Sequence, residues 1–133
     1  MTHLLDTNSC VDHLRHGVAS TVTAKLAAAA PGSVVICSVV VGELHYGAHR
    51  SVRKTETLSQ VQAFCSRFLS LTFDDPAAKE YGRIRAHLTA TGSAIGPNDL
   101  LIAAIALAND LTLVTNNTRE FARVPGPNLE DWR

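Results

Sequence analysis

The sequence predicts an α/β fold, a three-layer αβα sandwich in which helices cover both faces of a short, mainly parallel sheet. Two observations support this class. Short, largely apolar runs, such as those at residues 3–5 and 34–37, alternate with longer segments of helical character. The runs are continuously apolar instead of alternating apolar and polar residues, which is typical of parallel strands buried between helices.

In the first half of the chain, turn and capping residues separate the predicted elements. Pro31 and Gly32 end an alanine-rich segment, and Ser38 is suited to cap a helix that carries Glu43 just past its first turn. Apolar residues at three- and four-residue steps indicate an amphipathic helix between residues 55 and 69. The predicted elements are a strand at 3–5, helices over 8–16 and 18–30, a strand at 34–37, and helices from 38 and over 55–69.

In the second half, Asp74 and Asp75 before Pro76 are typical of a helix start, because Asp suits the cap and Pro the first helical position. A later helix starting at Pro97 is apolar nearly all round and is therefore predicted to be central. The predicted elements are a brief strand at 71–73, a helix from 74 to near Gly92, a helix over 97–108, a strand at 111–115 and another strand in the tail around Val124.

Length and composition predict a single domain over residues 1–133 that is large enough to bury its own core. Although 46% of the residues are hydrophobic, no apolar run approaches the length of a membrane span, and the start lacks the regions of a secretory signal. We therefore expect a cytoplasmic protein without membrane contact. Cys10, Cys37 and Cys65 are odd in number and widely spaced, so we expect reduced thiols.

Three acidic residues stand in apolar surroundings. Asp6 follows the first predicted strand directly, at the carboxyl end where open α/β sheets form their ligand crevices. Glu43 shares a helix face with Val40 and Leu44, and buried glutamate is rare unless it is paired or bound to metal. Asp99 lies in the first turn of the apolar helix. Three carboxylates on separate apolar elements indicate a divalent-metal site.

Two of these acids also have a purely structural explanation. Asp6 could simply cap the helix that follows it. Asp99 could interact favourably with the dipole of the helix whose first turn it occupies. The local sequence favours neither explanation over the other for these two residues.

Histidine pairs suggest a competing site for zinc. His13 and His16 are three residues apart, and His45 and His49 are four apart, so each pair could lie on one helix face. The HExxH order is absent, and neither pair has further Cys or His ligands nearby. We therefore expect structural or surface roles for these residues.

The order of motifs along the chain resembles that of PIN-domain ribonucleases, more narrowly the VapC-like toxins of type II toxin–antitoxin pairs. The matching segments are LLDTN, VVGELHYGA, EYGRIRAHL, IGPNDLLIAAIA, LVTNNTREF and LEDW, which together span nearly the whole chain. LDTN alone would be weak evidence for this resemblance, whereas several motifs in the same order and spacing are specific evidence. The resemblance implies a PIN-like αβα sandwich. It also implies a toxin that hydrolyses RNA phosphodiester bonds, tRNA among the candidate substrates, and thereby inhibits translation and growth.

The resemblance implies that Asp6, Glu43 and Asp99 hold Mg²⁺ or Mn²⁺ and carry the catalysis. The chain departs from the family pattern at a fourth position, where many PIN domains have Asp and LVTNNTREF has Asn117. The amide oxygen of Asn117 would still suit a hard cation. Glu120 is the nearest other acid, and we interpret it as a charge on a helix turn.

Supporting roles are expected for two polar residues beside these acids. Asn8 and Thr115 are predicted to orient the carboxylates by hydrogen bonding. The implied partners of the protein are RNA, a second copy in a homodimer, and a VapB-like antitoxin whose tail crosses the active-site groove.

Acidic and basic residues balance at 12 each, so RNA contact requires a local basic patch. The densest clusters contain Arg50, Arg53 and Lys54 in one segment and Arg83 and Arg85 in another. We interpret Arg50, Arg53, Lys54 and Arg85 as candidate RNA contacts. The alternative is that these residues form solvated helix faces.

Two other functions compete with the ribonuclease. Asp6 could be the covalent nucleophile of a phosphatase. Haloacid-dehalogenase-like phosphatases carry DxD there, however, and this chain has Asn8 at the second position. A module of the same fold with weakened catalysis would only bind RNA or a partner, and Asn117 keeps this alternative open.

Overall fold

The computed structural model describes residues 1–133 and contains a sheet of five parallel strands in the order β3-β2-β1-β4-β5. β1 lies at the centre, where His3 is in register with Val34 on one side and Thr112 on the other. The strands are β1 (His3–Leu5), β2 (Val34–Cys37), β3 (Ser70–Leu71), β4 (Thr112–Val114) and β5 (Leu129–Glu130).

Seven helices flank this sheet, so the predicted three-layer α/β class is confirmed. The main helix pairs are α5 with α6, α3 with α4, and α1 with α2. The helices are α1 (Thr7–His16), α2 (Thr21–Ala28), α3 (Ser38–His49), α4 (Lys54–Cys65), α5 (Asp75–Ala90), α6 (Pro97–Ala108) and α7 (Thr118–Phe121).

The core is built around α6 and the central strands. The α6 segment from Ile102 to Ala106 is fully buried, and β1 contributes Leu4 and Leu5, which are also fully buried. Four alanines in α6 leave room for α5 to pack closely against it. The prediction that this helix is central is therefore confirmed.

Two helix starts differ from the prediction. The segment expected to form one helix over residues 18–30 contains a 3-10 turn at Gly17–Ala19, after which α2 begins at Thr21. Ser20 separates the two because its hydroxyl accepts a hydrogen bond from Val22 N at 3.1 Å and caps α2. Ser38 is the first residue of α3 instead of its cap, and its hydroxyl donates to Leu71 O at 3.2 Å.

The strands at the sheet edges also differ from the prediction, since β3 overlaps the strand predicted at 71–73 only at Leu71 and the tail strand lies elsewhere. α4 ends at Cys65 instead of residue 69, because a turn at residues 66–68 leads the chain into β3 at Ser70–Leu71. The tail strand lies at Leu129–Glu130, whereas Val124 is a buried residue after α7. Both edge strands contain two residues, so they carry little periodic signal in the sequence.

Two further expectations concern the cysteines and the membrane. All three cysteines are free, with Cys10 and Cys37 buried and Cys65 partly buried. None of the helices combines the length and the apolar character needed to cross a bilayer.

Truncation of α6 should destabilise the fold. Ile105 is fully buried in the middle of this helix, so Ile105→Ala should lower the free energy of unfolding by about 2–5 kcal/mol through lost burial and a residual cavity. Urea denaturation measures this loss. Leu69→Ala is the control, because Leu69 is 61% exposed, and its loss should stay below about 0.5 kcal/mol. Equal effects of the two substitutions would contradict the central position of α6.

Candidate active site

Acidic and hydroxyl side chains gather where the two central strands end. The chain connects β1 to strands on one side of it, whereas β4 lies on its other side, so the direction of the connections reverses between β1 and β4. Open parallel sheets form their ligand crevices outside the carboxyl ends of the strands at such a point. Asp6 follows β1 and Thr115 follows β4, and Asp6 N donates to Val114 O at 2.9 Å.

Asp6 is 3% exposed and held from two sides. Its Oδ1 accepts a hydrogen bond from Ser9 N at 2.8 Å, so Asp6 does cap α1, as the structural alternative proposed. Burial raises the pKa of Asp6, and the charge of Glu43 raises it further. Hydrogen bonds from Thr115 and Ser9 act in the opposite direction and lower that pKa. Asp6 therefore caps α1 and also belongs to the acidic cluster.

Glu43 is half-buried on α3 and connects two other helices. The Thr7 hydroxyl of α1 donates to its Oε1, and the Asn98 amide of α6 donates to its Oε2 at 3.4 Å. Val40 and Leu44 on the same helix face are buried, as the sequence predicted. Neutral donors therefore hold this carboxylate in place.

Asp99 is half-buried in the first turn of α6, and its pKa is raised to about 6. Burial is the main cause, followed by the negative charges of Glu120, Glu43 and Asp6. The sequence-predicted acids Asp6, Glu43 and Asp99 thus lie within electrostatic range of one another. A fourth acid, Glu120, also lies within electrostatic range of Asp99.

Glu120 lies on the short helix α7, as its interpretation as a helix-turn charge predicted, and it also borders the acidic cluster, which the sequence did not predict. Its Oε1 accepts a hydrogen bond from Gly96 N at 2.9 Å, and its Oε2 accepts one from the Asn117 amide. The Gly96 bond is the main reason that the pKa of Glu120 is lowered. A Cβ built on Gly96 would lie 3.5 Å from Asp99 Oδ2 and 3.9 Å from Glu120 Oε1, so Gly96 stands between the two acids. The three-residue spacing of Asn117 and Glu120 was the available signal.

Two supporting residues have different outcomes. Thr115 is fully buried, hydrogen-bonds to Asp6 and accepts from Asn117 N at 2.9 Å. Asn8 is exposed, and the hydrogen bonds expected from it are made by Thr7 and Ser9 instead. Asn8 is the second residue of α1, and its side chain is exposed to solvent. Its neighbours Thr7 and Ser9 are the ones that contact the acids.

A metal ion was expected at this site, and the acids do not form a ready-made ligand shell. Nowhere does the structure place three or more His, Cys, Asp or Glu side chains in a preformed metal-binding group. The chemistry of the donors nevertheless fits a hard divalent cation, because every acidic group in the cluster offers only oxygen. The four ion pairs of the protein all lie elsewhere, so none of these acids forms an ion pair, and only Glu120 is affected by a nearby cation, the charge of Arg123.

The predicted basic clusters lie in two separate places. Arg50 directly follows α3 and lines a groove of about 630 Å³ between α1, α3 and α4. Glu43 lines the same groove. Arg53 is paired with Glu56 at 3.0 Å, and Lys54 is an exposed residue at the start of α4. Arg85 lies apart from them on α5.

The histidines serve local contacts. His13 Nδ1 lies 2.7 Å from the Thr23 hydroxyl, and His45 Nδ1 lies 2.8 Å from Val41 O. His16 lies 3.9 Å from Asp12 on its own helix. These contacts support the structural and surface roles that we expected for the histidines.

Comparisons with known proteins identify the family to which the chain belongs. The PIN domain family matches residues 3–127. "Ribonuclease VapC2" of Rickettsia felis is 39% identical over 99% of this chain and 98% of that protein. "tRNA(fMet)-specific endonuclease VapC" of Salmonella typhimurium is 38% identical over 97% of this chain and 96% of that protein.

Two crystal structures are similar over the whole chain. The structure of VapBC2 from Rickettsia felis bound to a promoter DNA fragment superposes with a TM-score of 0.91 at 36% identity and covers 100% of both chains. DNA-bound VapBC from Salmonella typhimurium gives a TM-score of 0.94 at 36% identity, covering 100% of this chain and 99% of that one. The chain therefore belongs to the PIN-domain family, among its VapC ribonucleases, and the resemblance found in the sequence is confirmed.

Neutralising Asp99 should stabilise the metal-free fold. Because the pKa of Asp99 is raised to about 6, the unfolded carboxyl ionises before the folded one, and stability is lost as pH rises from about 4 to 6. Asp99→Asn removes this loss. Since solvent screens a half-buried group, the gain at pH 7.5 should be about 1 kcal/mol. Urea denaturation in EDTA measures it.

The same comparison at pH 4 should show a much smaller difference, since the folded carboxyl is then protonated and the unfolded one, near its ordinary pKa of 3.8, is only partly ionised. Asp110→Asn is the matched control, because Asp110 is exposed and its positive φ of 53° suits Asn equally well. A stabilisation by Asp99→Asn that is as large at pH 4 as at pH 7.5 would contradict the electrostatic cause.

Proposed function

We propose that this chain is the toxin of a type II toxin–antitoxin pair. It acts in the cytoplasm as an endoribonuclease that uses Mg²⁺ or Mn²⁺ to hydrolyse RNA phosphodiester bonds, which stops translation and growth. The observation that carries this proposal is the convergence of Asp6, Glu43 and Asp99 at the carboxyl ends of the central strands, without any cationic partner. Its membership among the VapC ribonucleases supports the same reaction.

Each acid has a separate role in this proposal. Asp6 and Asp99 are the principal ligands, since they come from the rigid centre of the sheet and the start of the central helix. Glu43 approaches from α3 and completes the set. Glu120 accepts from Gly96 N and so positions the segment that leads into α6 and Asp99. A divalent cation held by Asp6, Asp99 and Glu43 would supply an activated water and would offset negative charge on the scissile phosphate.

The protonation of Asp99 limits this function at low pH. With its pKa near 6, its carboxyl is largely ionised at neutral pH and available as a ligand. No histidine lies among the acids, so proton uptake from the attacking water falls to the carboxylates. Asp6 remains fixed by Ser9 and Thr115 and needs no rearrangement to serve as a ligand.

The proposed substrate class is tRNA. The Salmonella relative is named as a tRNA(fMet)-specific endonuclease, and the similarity extends across both chains. Arg50, Arg53, Lys54 and Arg85 are the candidate contacts with RNA phosphates. Arg53 is the weakest of them, because its guanidinium is already paired with Glu56.

The proposed protein partners are a VapB-like antitoxin and a second copy of the chain in a homodimer. The similar structures from Rickettsia felis and Salmonella typhimurium are VapBC complexes, which supports the antitoxin. We assign the antitoxin segment to the groove between α1, α3 and α4. Its lining includes Val11, Leu44 and Val61, and its charged residues include Arg15 and Glu43. An amphipathic segment that carries both acidic and basic residues would fit this surface.

Replacing Asp6 should abolish RNA cleavage without unfolding the protein. Asp6→Asn keeps an oxygen that can cap α1 but removes the charge, so the expected loss in rate is roughly a thousandfold or more. Cleavage of tRNA is measured with Mg²⁺, with Mn²⁺ and in EDTA. The wild-type protein should be active with either ion and inactive in chelator. Full activity in EDTA, or near-normal activity of Asp6→Asn, would exclude the proposed mechanism.

Asn117 and Glu120 should act as a pair. Asn117→Ala removes one of the two hydrogen bonds to Glu120, so its effect on cleavage should be smaller than that of Asp6→Ala. Asn117→Asp should destabilise the metal-free protein by like-charge repulsion and strengthen Mn²⁺ binding. Mn²⁺ titration of activity and of unfolding temperature measures both effects. Weaker Mn²⁺ binding by Asn117→Asp would contradict a place for this residue beside the cation.

Filling the groove should weaken antitoxin binding. Gly47 lies on exposed α3 surface in the groove, and a Cβ there meets nothing within 4 Å, so Gly47→Trp can occupy the groove without disturbing the core. Calorimetry with the cognate VapB-like antitoxin should show at least about tenfold weaker binding. Gly82→Trp on α5 is the control, since Gly82 is equally exposed and unobstructed but outside the groove. Equal affinities of both variants would place the antitoxin elsewhere.

A further inference from the structure

A second pocket shares no lining residue with the groove just described. It has a volume of about 290 Å³ and lies between the end of α5 and the start of α6. Leu88, Ile95 and Leu100 provide apolar lining, and Arg85, Thr89 and Ser93 provide polar lining. The lining contains one cationic side chain and no acidic one.

The pocket lining neighbours the acidic cluster along the chain. Leu100 follows Asp99 in the chain, so their Cα atoms are about 3.8 Å apart. Ile95 precedes Gly96, whose N–H donates to Glu120. Arg123 Nη1 donates to Ala94 O at 2.8 Å on the pocket wall, and the charge of Arg123 also lowers the pKa of Glu120. One short segment therefore forms both a wall of the pocket and an edge of the acidic cluster.

The Arg85 guanidinium is oriented but not neutralised. Its Nη1 donates to the Tyr81 hydroxyl at 2.8 Å, and its Cζ lies 5.7 Å from the centre of the Tyr81 ring. It takes part in none of the four ion pairs. Arg83 on the same helix is different, because it is paired with Glu80 at 2.7 Å. A guanidinium has five N–H donors, so Arg85 retains donors for an anion.

We propose that this pocket is a nucleotide subsite for single-stranded RNA, which holds the nucleotide next to the scissile phosphate. The base packs against Leu88, Ile95 and Leu100, and Arg85 contacts the phosphate. The hydroxyls of Thr89 and Ser93 are suited to the ribose 2′-OH, the group by which proteins distinguish RNA from DNA. In a chain with no net charge, a cationic pocket beside an acidic centre also offsets the repulsion between that centre and the phosphates.

This subsite deepens the proposed function and rests on it, so its test measures binding separately from cleavage. Binding of a 5′-fluorescein single-stranded RNA decamer is followed by fluorescence anisotropy in the full-length Asp6→Asn background. We expect Arg85→Ala to weaken binding about tenfold, as loss of a charged hydrogen bond does, and Arg83→Ala to change it less than about twofold. A DNA decamer of the same sequence should depend less on Thr89 and Ser93.

A second pair of variants tests the shape of the pocket. Thr89→Trp fills it from the exposed face of α5 and should weaken RNA binding at least about fivefold. Ala86→Trp adds the same side chain to the exposed surface of α5 outside the pocket and should leave binding unchanged. Thermal unfolding and molecular mass in solution are measured for all variants. A change in mass with Arg85→Ala would mean that the pocket is an interface between copies, which overturns the subsite.

The remaining outcomes separate the two proposals. Equal losses of RNA affinity for Arg85→Ala and Arg83→Ala would mean that the RNA is attracted only by the overall charge of the surface. That result overturns the subsite. Failure of the Asp6→Asn protein to bind the decamer also overturns it. If wild-type protein cleaves RNA with Mg²⁺ but Arg85→Ala and Thr89→Trp bind normally, the subsite fails and the ribonuclease stands. If binding depends on Arg85 but no metal-dependent cleavage occurs, the pocket binds RNA as proposed, whereas the ribonuclease and the position of the subsite next to a scissile phosphate both fail.

Discussion

The position of Asp6 between the two central strands is the constraint on which the rest of the site depends. β1 is hydrogen-bonded on both sides, and Asp6 N continues the ladder to Val114 O, so the backbone at Asp6 has no freedom to withdraw from the centre. Its side chain is buried, and burial opposes ionisation. Every other acid reaches this fixed point from a separate element. The mutual repulsion of the acids is tolerated because the apolar core around α6 holds those elements together.

Neutral donors hold these acids, and this choice has an electrostatic effect. Thr7 and Asn98 bind Glu43, Ser9 and Thr115 bind Asp6, and hydrogen bonds of this kind fix direction without cancelling charge. A Lys or Arg in their place would form an ion pair and lower the energy of the metal-free protein. It would also compete with any cation for the carboxylates. This arrangement lowers stability but creates a negative potential at the carboxyl ends of the central strands. Such a loss of stability at a charged cluster is common at functional sites.

Much of the fold and part of the site follow from local sequence. The strands β1, β2 and β4 and the helix α6 are continuously apolar, and Asp6 and Asp99 stand at the ends of such segments, so their positions could be predicted. β5 could not, because two residues carry no periodic pattern and their strand character comes from pairing with β4. The contacts of Glu120 at the acidic cluster could not be predicted either. Its role depends on Gly96, which is 24 residues away in the chain and adjacent only after folding.

Glu43 belongs to two surfaces at once, since it accepts hydrogen bonds at the acidic cluster and also lines the groove between α1, α3 and α4. A substitution at this position changes both surfaces together. If the groove receives an inhibitor and the acids carry the reaction, selection cannot alter the contact with the inhibitor here while leaving the reaction untouched. Under these two conditions, a substitution of Glu43 that weakens inhibition also impairs the reaction. Changes in partner recognition that preserve activity are then confined to the part of the groove farther from the acids.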